Sequence, residues 1–203
     1  RLKVDRAGRT QYINRNIVMP GENRHTVRAD FVCHIAVGGN TVTADKTGVD
    51  PAILHDRRGD LMLLINGMPV FHIELKKSGI PVSQAYHQIE KYSDEGLFTG
   101  IFSLVQIFVA MQPEETVYFS NPGPDGAFNK DFYFHWADFN NEPINNWLDI
   151  TTYLLSIPMA HQMIGFYTVA DDSDGVLKVM RSYQYYAANA ISDRVSKIDW
   201  SDK

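Results

Sequence analysis

The feature that most constrains this chain is a pair of apolar segments separated by a turn signal. Residues 61–65 are an uninterrupted apolar run, typical of a strand buried in a sheet. Residues 66–69, Asn-Gly-Met-Pro, are of the types that reverse the chain direction. A second strand follows at 70–76, and the sequence therefore predicts a buried β-hairpin.

Strands and helices alternate along the rest of the chain. A strand is predicted from about residue 30 to Gly38-Gly39, followed by a loop at 45–59. After the hairpin we expect a helix from Ser83 to about Tyr92, a strand pair at 101–111 and 116–120, a loop at 121–131, and helices at 143–165 and 178–195. This order predicts an α/β (α+β) fold, in which a mixed central sheet is flanked by helices.

Composition limits the classes of protein to which the chain can belong. Its 203 residues, 44% hydrophobic, suffice for one domain or one domain and part of another. The net charge of −5 lacks the overall basic signature of a nucleic-acid binder, although local basic patches remain compatible with it. The single cysteine, Cys33, excludes a disulfide framework within the chain and favours a cytoplasmic location. No apolar run reaches the length of a membrane span, so no membrane association is expected.

Glu74 and Lys76 are the candidate chemical groups of the second strand. They are two residues apart, so their side chains point to one face of the sheet. Burial of a carboxylate or an ammonium is costly unless the group is paired or bound to a metal. His72 lies on the same face by alternation, where we expect a packed strand histidine. Alternatively, Glu74 and Lys76 form a surface ion pair on an edge strand.

Asp60 stands at the start of the first strand of the hairpin, and its position depends on the turn. A three-residue loop would make Asp60 face Glu74, whereas a four-residue loop would make it face Leu75. In either register the two carboxylates lie close together and repel, which favours a divalent cation between them. Oxygen ligands suit Mg²⁺ or Mn²⁺. Lys76 would then orient the attacking water and offset phosphate charge.

The residues around these groups resemble a known family. Residues 58–76, Arg-Gly-Asp-Leu-Met-Leu-Leu-Ile-Asn-Gly-Met-Pro-Val-Phe-His-Ile-Glu-Leu-Lys, resemble the nuclease core of the restriction (R, or HsdR) subunit of type I restriction-modification enzymes. The resemblance implies a PD-(D/E)xK restriction-endonuclease-like fold of the RecB-like branch. It also implies that Asp60 and Glu74 hold the metal and that Lys76 serves catalysis. Gly59 departs from the family, which usually has proline before the aspartate.

The resemblance extends to two further pairs of residues. The family has Gln-x-x-x-Tyr on the next helix, and Gln88 and Tyr92 match it, so the resemblance adds both to the catalytic set. Without the resemblance, Gln88 and Tyr92 would be interpreted as residues of an ordinary amphipathic helix. Residues 179–188 are similar to the stretch that opens the first motor domain, where Arg181 and Gln184 would contact the adenine of ATP. Otherwise Gln184 is a surface glutamine.

The sequence therefore predicts the Mg²⁺-dependent endonuclease module of a type I restriction subunit. Residues 1–168 would form the endonuclease domain, and 169–203 a linker with the first helix of a truncated motor domain. This chain has no Gly-x-x-x-x-Gly-Lys-[Ser/Thr], so ATP binding belongs to the full-length subunit. The expected partners are duplex DNA and the methyltransferase (M) and specificity (S) subunits. The alternatives are a non-catalytic module that docks on DNA or subunits, and a RecB-like nuclease of a repair helicase.

Overall fold

The computed structural model describes residues 2–4, 11–17, 27–37, 57–124 and 126–198, with side-chain surroundings from residue 59 onward. Among these residues, seven strands form one sheet in chain order. They are β1 (Leu2–Val4), β2 (Gln11–Ile17), β3 (Val27–Val37), β4 (Arg57–Ile65), β5 (Met68–Leu75), β6 (Ile107–Gln112) and β7 (Glu115–Ser120). Of the described neighbouring pairs, β5 and β6 are parallel and the others are antiparallel. The predicted mixed sheet is confirmed.

Helices cover both faces of this sheet. Helix α1 (Ser83–Asp94) makes the crossover that the parallel pair β5 and β6 requires. The later elements are α2 (Trp147–Tyr153), α3 (Ile157–Phe166), the hairpin of β8 (Thr168–Asp171) and β9 (Val176–Val179), and α4 (Ser182–Ser196). Within the described ranges, no helix has the length and apolar character needed to span a bilayer.

The β4–β5 hairpin turns on two residues. Asn66 and Gly67 have φ values of +52° and +82°, which is the left-handed pair of a tight hairpin turn. A bulge follows, because Leu64 pairs with Pro69 while Leu63 pairs with Phe71. The extra residue, at position 70, changes the register of every later pair by one.

The sheet separates two hydrophobic cores. One core packs β4, β5 and β6 against α2 and α3, and Trp136 lies within it without solvent exposure. The other core packs the opposite sheet face against α1. Its members include Met62, Ile89, Tyr92, Phe98, Phe108 and Phe119. Since Met62 pairs with His72 across the hairpin, the face that carries His72 and Glu74 is the one that α1 covers.

Several predicted element boundaries are wrong. The loop predicted over 45–59 ends earlier, because β4 begins at Arg57, and its residues 45–56 lie outside the described part of the chain. The strand predicted from residue 101 begins only at Ile107, because Gly100–Leu104 forms a 3-10 helix. The helix predicted over 143–165 is two helices, and Pro158 lies in the first turn of the second, where a missing N–H is tolerated. The helix predicted from residue 178 begins at Ser182, because the residues before it pair as the β8–β9 hairpin.

Candidate active site

Glu74 is a buried carboxylate at the middle of the sheet. Its side chain is 1% exposed, and its Oε1 accepts a hydrogen bond from Lys76 Nζ at 3.1 Å. Strand β5 lies between β4 and β6, so the alternative of a surface pair on an edge strand is wrong. Ala110 stands beside Glu74 on β6, and its small side chain leaves room for the carboxylate. The ammonium of Lys76 stabilises a charge that burial alone would disfavour.

Asp60 lies beside the end of β5 that carries Glu74. The described pairing of β4 with β5 ends at Leu61 and Ile73, one residue before Asp60 and Glu74. The Leu61–Ile73 pair belongs to the first of the two registers considered from the sequence, reached by a two-residue turn and a bulge instead of a three-residue loop. Asp60 Oδ2 accepts a hydrogen bond from the backbone N–H of Leu75 at 2.9 Å, which fixes the carboxylate against β5.

Helix α1 brings Gln88 and Tyr92 to the lysine. Lys76 Nζ donates to Gln88 Oε1 at 2.5 Å, and Gln88 Nε2 donates to Tyr92 OH. The two helical residues are one turn apart and share the face that packs on the sheet. Tyr92 is 7% exposed, so these hydrogen bonds connect the hydrophobic core to the carboxylate of Glu74. The structure thus joins Glu74, Lys76, Gln88 and Tyr92 in one network, and it binds the Asp60 carboxylate to the backbone of Leu75, the residue next to Glu74.

The donor set fits a divalent cation. Glu74 Oε2 is buried and has no hydrogen-bond partner among the described residues, although a buried carboxylate oxygen normally has one. The same part of the chain contains no group of three or more His, Cys, Asp or Glu side chains arranged to hold a metal. Two carboxylates nevertheless match the usual environment of Mg²⁺, which takes one or two carboxylates together with water and phosphate oxygens.

His72 lies deeper in the same face than strand alternation alone suggested. Its side chain is 1% exposed, and its Nε2 lies 3.6 Å from Glu74 Oε2. Its ring packs edge-on against Phe98 and Phe108, with centroid distances of 5.3 and 6.2 Å. The sequence indicated the face of this residue but not its direct approach to the glutamate, because alternation does not specify a rotamer.

Gly59 provides the space that the His72 ring occupies. A Cβ at Gly59 would lie 2.8 Å from His72 Cε1, which is closer than van der Waals contact allows. A proline at this position would meet the same clash, because it too carries a Cβ. The glycine that stands where the related family usually has proline is therefore matched to the histidine packed against it.

Replacing Gly59 by alanine should destabilise the fold. The ring of His72 is held among aromatic side chains and cannot swing away, so we expect the free energy of unfolding to fall by about 1–3 kcal/mol. Urea denaturation measures this change. The control is Gly165→Ala in α3, where a Cβ meets open space and helix propensity predicts a neutral or stabilising change. Equal stability of Gly59→Ala and the unsubstituted chain would contradict the steric argument.

Arg181 and Gln184 lie in a different part of the molecule. The side chain of Gln184 accepts a hydrogen bond from the backbone N–H of Arg181 at 2.9 Å and caps the start of α4. The guanidinium of Arg181 lies 4.6 Å from the ring centre of Phe134. Both residues, with Tyr183, line a cavity of about 600 Å³. No member of the Asp60–Tyr92 set lines this cavity.

Two tyrosines near these elements have raised pKa values. Burial is the main cause for both. Tyr133 also donates to Glu90 Oε1 on α1 at 2.7 Å, which raises its pKa further. Tyr118 donates to the carbonyl oxygen of Met180 at 2.9 Å. Both phenols therefore remain protonated donors at neutral pH, and Tyr118 attaches the segment before α4 to the sheet.

Comparison with known proteins gives one consistent family. Residues 49–127 match the family model described as the type I restriction enzyme R protein N terminus. The chain is 33% identical over 140 residues to the type I restriction enzyme SauCOLORF180P endonuclease subunit of Staphylococcus aureus (strain COL), which is 69% of this chain and 15% of that protein.

Two further relatives are also named as type I restriction enzyme endonuclease subunits. The SsaAORF53P endonuclease subunit of Staphylococcus saprophyticus is 34% identical over 152 residues, which is 75% of this chain and 15% of that protein. The EcoprrI endonuclease subunit of Escherichia coli is 34% identical over 139 residues, which is 68% of this chain and 44% of that protein. The chain thus spans less than half the length of these relatives. Its residues 49–127, which contain all five members of the site network, belong to the family of type I restriction enzyme R protein N termini.

Proposed function

We propose that this chain is the endonuclease module of a type I restriction enzyme and hydrolyses DNA phosphodiester bonds with Mg²⁺ or Mn²⁺. The observation that carries the proposal is the network in which Lys76 bridges the buried Glu74 carboxylate and Gln88, while the Asp60 carboxylate is hydrogen-bonded to the backbone of Leu75 beside it. A buried carboxylate beside a lysine is an expensive arrangement for a purely structural role.

Each residue of the network has a distinct task in this proposal. Asp60 and Glu74 hold the cation, which supplies Lewis-acid polarisation of the scissile phosphate when bound. An ammonium has three N–H donors, and within the described residues two are used by Glu74 and Gln88. The third is directed to a water molecule or a phosphate oxygen, where its charge offsets the developing negative charge. Gln88 and Tyr92 fix the direction of the lysine.

The remaining expectations concern the full-length subunit. There, Arg181 and Gln184 would contact the adenine of ATP, since they line a cavity with aromatic walls. Motor domains elsewhere in the full-length subunit would translocate duplex DNA, and the M and S subunits would supply sequence recognition. Cleavage would then fall on unmodified foreign DNA in the cytoplasm. The boundary between endonuclease domain and motor segment at 168/169 stays a prediction, as does each of these roles.

Metal binding distinguishes a nuclease from a module that only docks on DNA or subunits. We expect Mn²⁺ to bind the chain and expect Asp60→Asn and Glu74→Gln each to weaken binding by at least about tenfold, because each removes one ligand charge. Both replacements preserve the shape of the side chain. Calorimetry or the electron paramagnetic resonance signal of free Mn²⁺ measures the affinity.

Glu142→Gln is the matched control for this titration, because Glu142 is exposed and lies in a loop outside the network. It should bind Mn²⁺ as the unsubstituted chain does. Absence of Mn²⁺ binding by the unsubstituted chain, or equal binding by all the variants, would reject the metal site and favour the docking module.

A further inference from the structure

His72 and Glu74 present two buried polar atoms to each other without a hydrogen bond. His72 Nε2 and Glu74 Oε2 are 3.6 Å apart, and both side chains are 1% exposed. Neither atom has a hydrogen-bond partner within the part of the chain that the structure describes. A buried donor and a buried acceptor are each costly when unpaired. Nothing in the proposed mechanism so far uses the imidazole.

The surroundings of the ring hold it in this position. Phe98 and Phe108 pack against it edge-on, and Tyr92 approaches it with a centroid distance of 6.3 Å. On the remaining side, the absence of a side chain at Gly59 leaves the space that Cε1 occupies. The ring therefore has little freedom except a small movement toward the carboxylate.

That small movement would allow His72 Nε2 and Glu74 Oε2 to form a hydrogen bond with each other. An N–H···O bond needs a donor–acceptor distance of about 2.7–3.2 Å, so an approach of roughly half an ångström completes it. A neutral imidazole with its proton on Nε2 is the donor, and the carboxylate is the acceptor. Each carboxylate oxygen has two lone pairs, so the bonds from His72 and Lys76 leave acceptor sites for a cation.

We propose that His72 is a positioning residue that fixes the Glu74 carboxylate from the core side through an Nε2–H···Oε2 hydrogen bond. This inference rests on the proposed function, in which Glu74 is a metal ligand. Lys76, which also contacts Gln88 of α1, holds Oε1. His72 holds Oε2 from its position between Phe98 and Phe108. The carboxylate is thereby prevented from rotating, and its geometry is set before the cation arrives. Partners of this kind orient metal-binding carboxylates in other proteins.

A matched pair of variants isolates the hydrogen bond. Glutamine and methionine have the same length and nearly the same shape, and only glutamine carries an N–H donor. We expect His72→Gln in the full chain to bind Mn²⁺ within about threefold of the unsubstituted affinity. His72→Met should weaken binding by about 10–100-fold, the usual effect of removing a group that orients a ligand. Calorimetric titration with Mn²⁺ alone gives both dissociation constants.

A purely structural role gives a different result. Both variants lose the imidazole packing, so both melting temperatures would fall alike and the two dissociation constants would be equal. Equal constants overturn the proposal. If Glu74→Gln weakens Mn²⁺ binding while His72→Met does not, only the role of His72 fails. If Glu74→Gln has no effect either, the proposed metal site itself fails.

The unsubstituted protein provides a second test that does not depend on a variant folding. Nitrogen NMR of the His72 ring should find the proton on Nε2 and an unprotonated Nδ1. A proton on Nδ1 with a bare Nε2 would overturn the proposal, because such a ring has no donor facing the carboxylate.

Discussion

Replacing Glu74 by glutamine is expected to reduce DNA cleavage by at least about 100-fold, because the substitution removes the buried charge that holds the cation in the proposed mechanism. Lys76→Ala should reduce cleavage to a similar extent, since it removes the donor that bridges Glu74 and Gln88. The measurement is linearisation of circular duplex DNA by the full-length subunit, assembled with its partner subunits and supplied with ATP and Mg²⁺.

The same assay distinguishes the loss of catalysis at the active site from the loss of the folded or assembled protein. ATP hydrolysis should continue in both variants, because neither residue lies in the segment that is proposed to contact ATP or near its cavity. The controls are Glu142→Gln and Lys197→Ala, which change exposed side chains of the same charge and should cut DNA normally. Normal cleavage by either Glu74→Gln or Lys76→Ala would reject the catalytic assignment. Loss of both cleavage and ATP hydrolysis would instead indicate a failure of folding or assembly.

Ending the chain at residue 168 is expected to lower its free energy of unfolding by roughly 3 kcal/mol. The truncation removes Val179 from the core and deletes the acceptor of the Tyr118 hydrogen bond. It also removes Tyr185, whose ring centroid lies 5.5 Å from that of Trp136. Burial of a valine contributes about 1.5–3 kcal/mol and a net hydrogen bond about 0.5–1.5 kcal/mol.

Urea denaturation followed by tryptophan fluorescence measures this loss, with Trp136 as a reporter in the affected core. The control is a chain that ends at residue 198, which keeps all of these contacts and should unfold at the midpoint of the full chain. An unchanged midpoint for the 1–168 chain would mean that the later segment contributes nothing to the endonuclease fold. It would also support the domain boundary at 168/169 as a boundary of stability.

The central hairpin and the shared face of Glu74 and Lys76 could be predicted because their signals are local, whereas Gln88 and Tyr92 were added to the site only by the family resemblance. Apolar runs, a turn and an i, i+2 spacing are visible in the sequence, and the Gln-x-x-x-Tyr spacing places two side chains on one helix face. The contacts from Lys76 to Gln88 and from Gln88 to Tyr92 bring these residues together in the structure. Their catalytic roles remain predictions.

The parts that sequence reasoning missed depend on contacts between distant segments. Gly100–Leu104 is apolar enough for a strand, but it forms a 3-10 helix at the end of the α1 crossover. The β8–β9 hairpin was missed because its strands have only four residues each and are partly exposed. The approach of His72 to Glu74 depends on Gly59, a neighbour thirteen residues earlier, which spacing rules do not connect with it.

The bulge in the β4–β5 hairpin has a consequence for how such a site can change over time. Side chains alternate with a period of two, so the same residues paired without the bulge, in the register of Leu64 with Pro69, would set Leu61 opposite His72 and change the face that each later residue shares with its partner. Deletion of residue 70 would remove the bulge and leave Leu63 opposite Phe71, so the hairpin can lose this residue without changing the later register. An insertion or deletion between the bulge and either Asp60 or Glu74 has no such tolerance, because it would shift one carboxylate relative to the other.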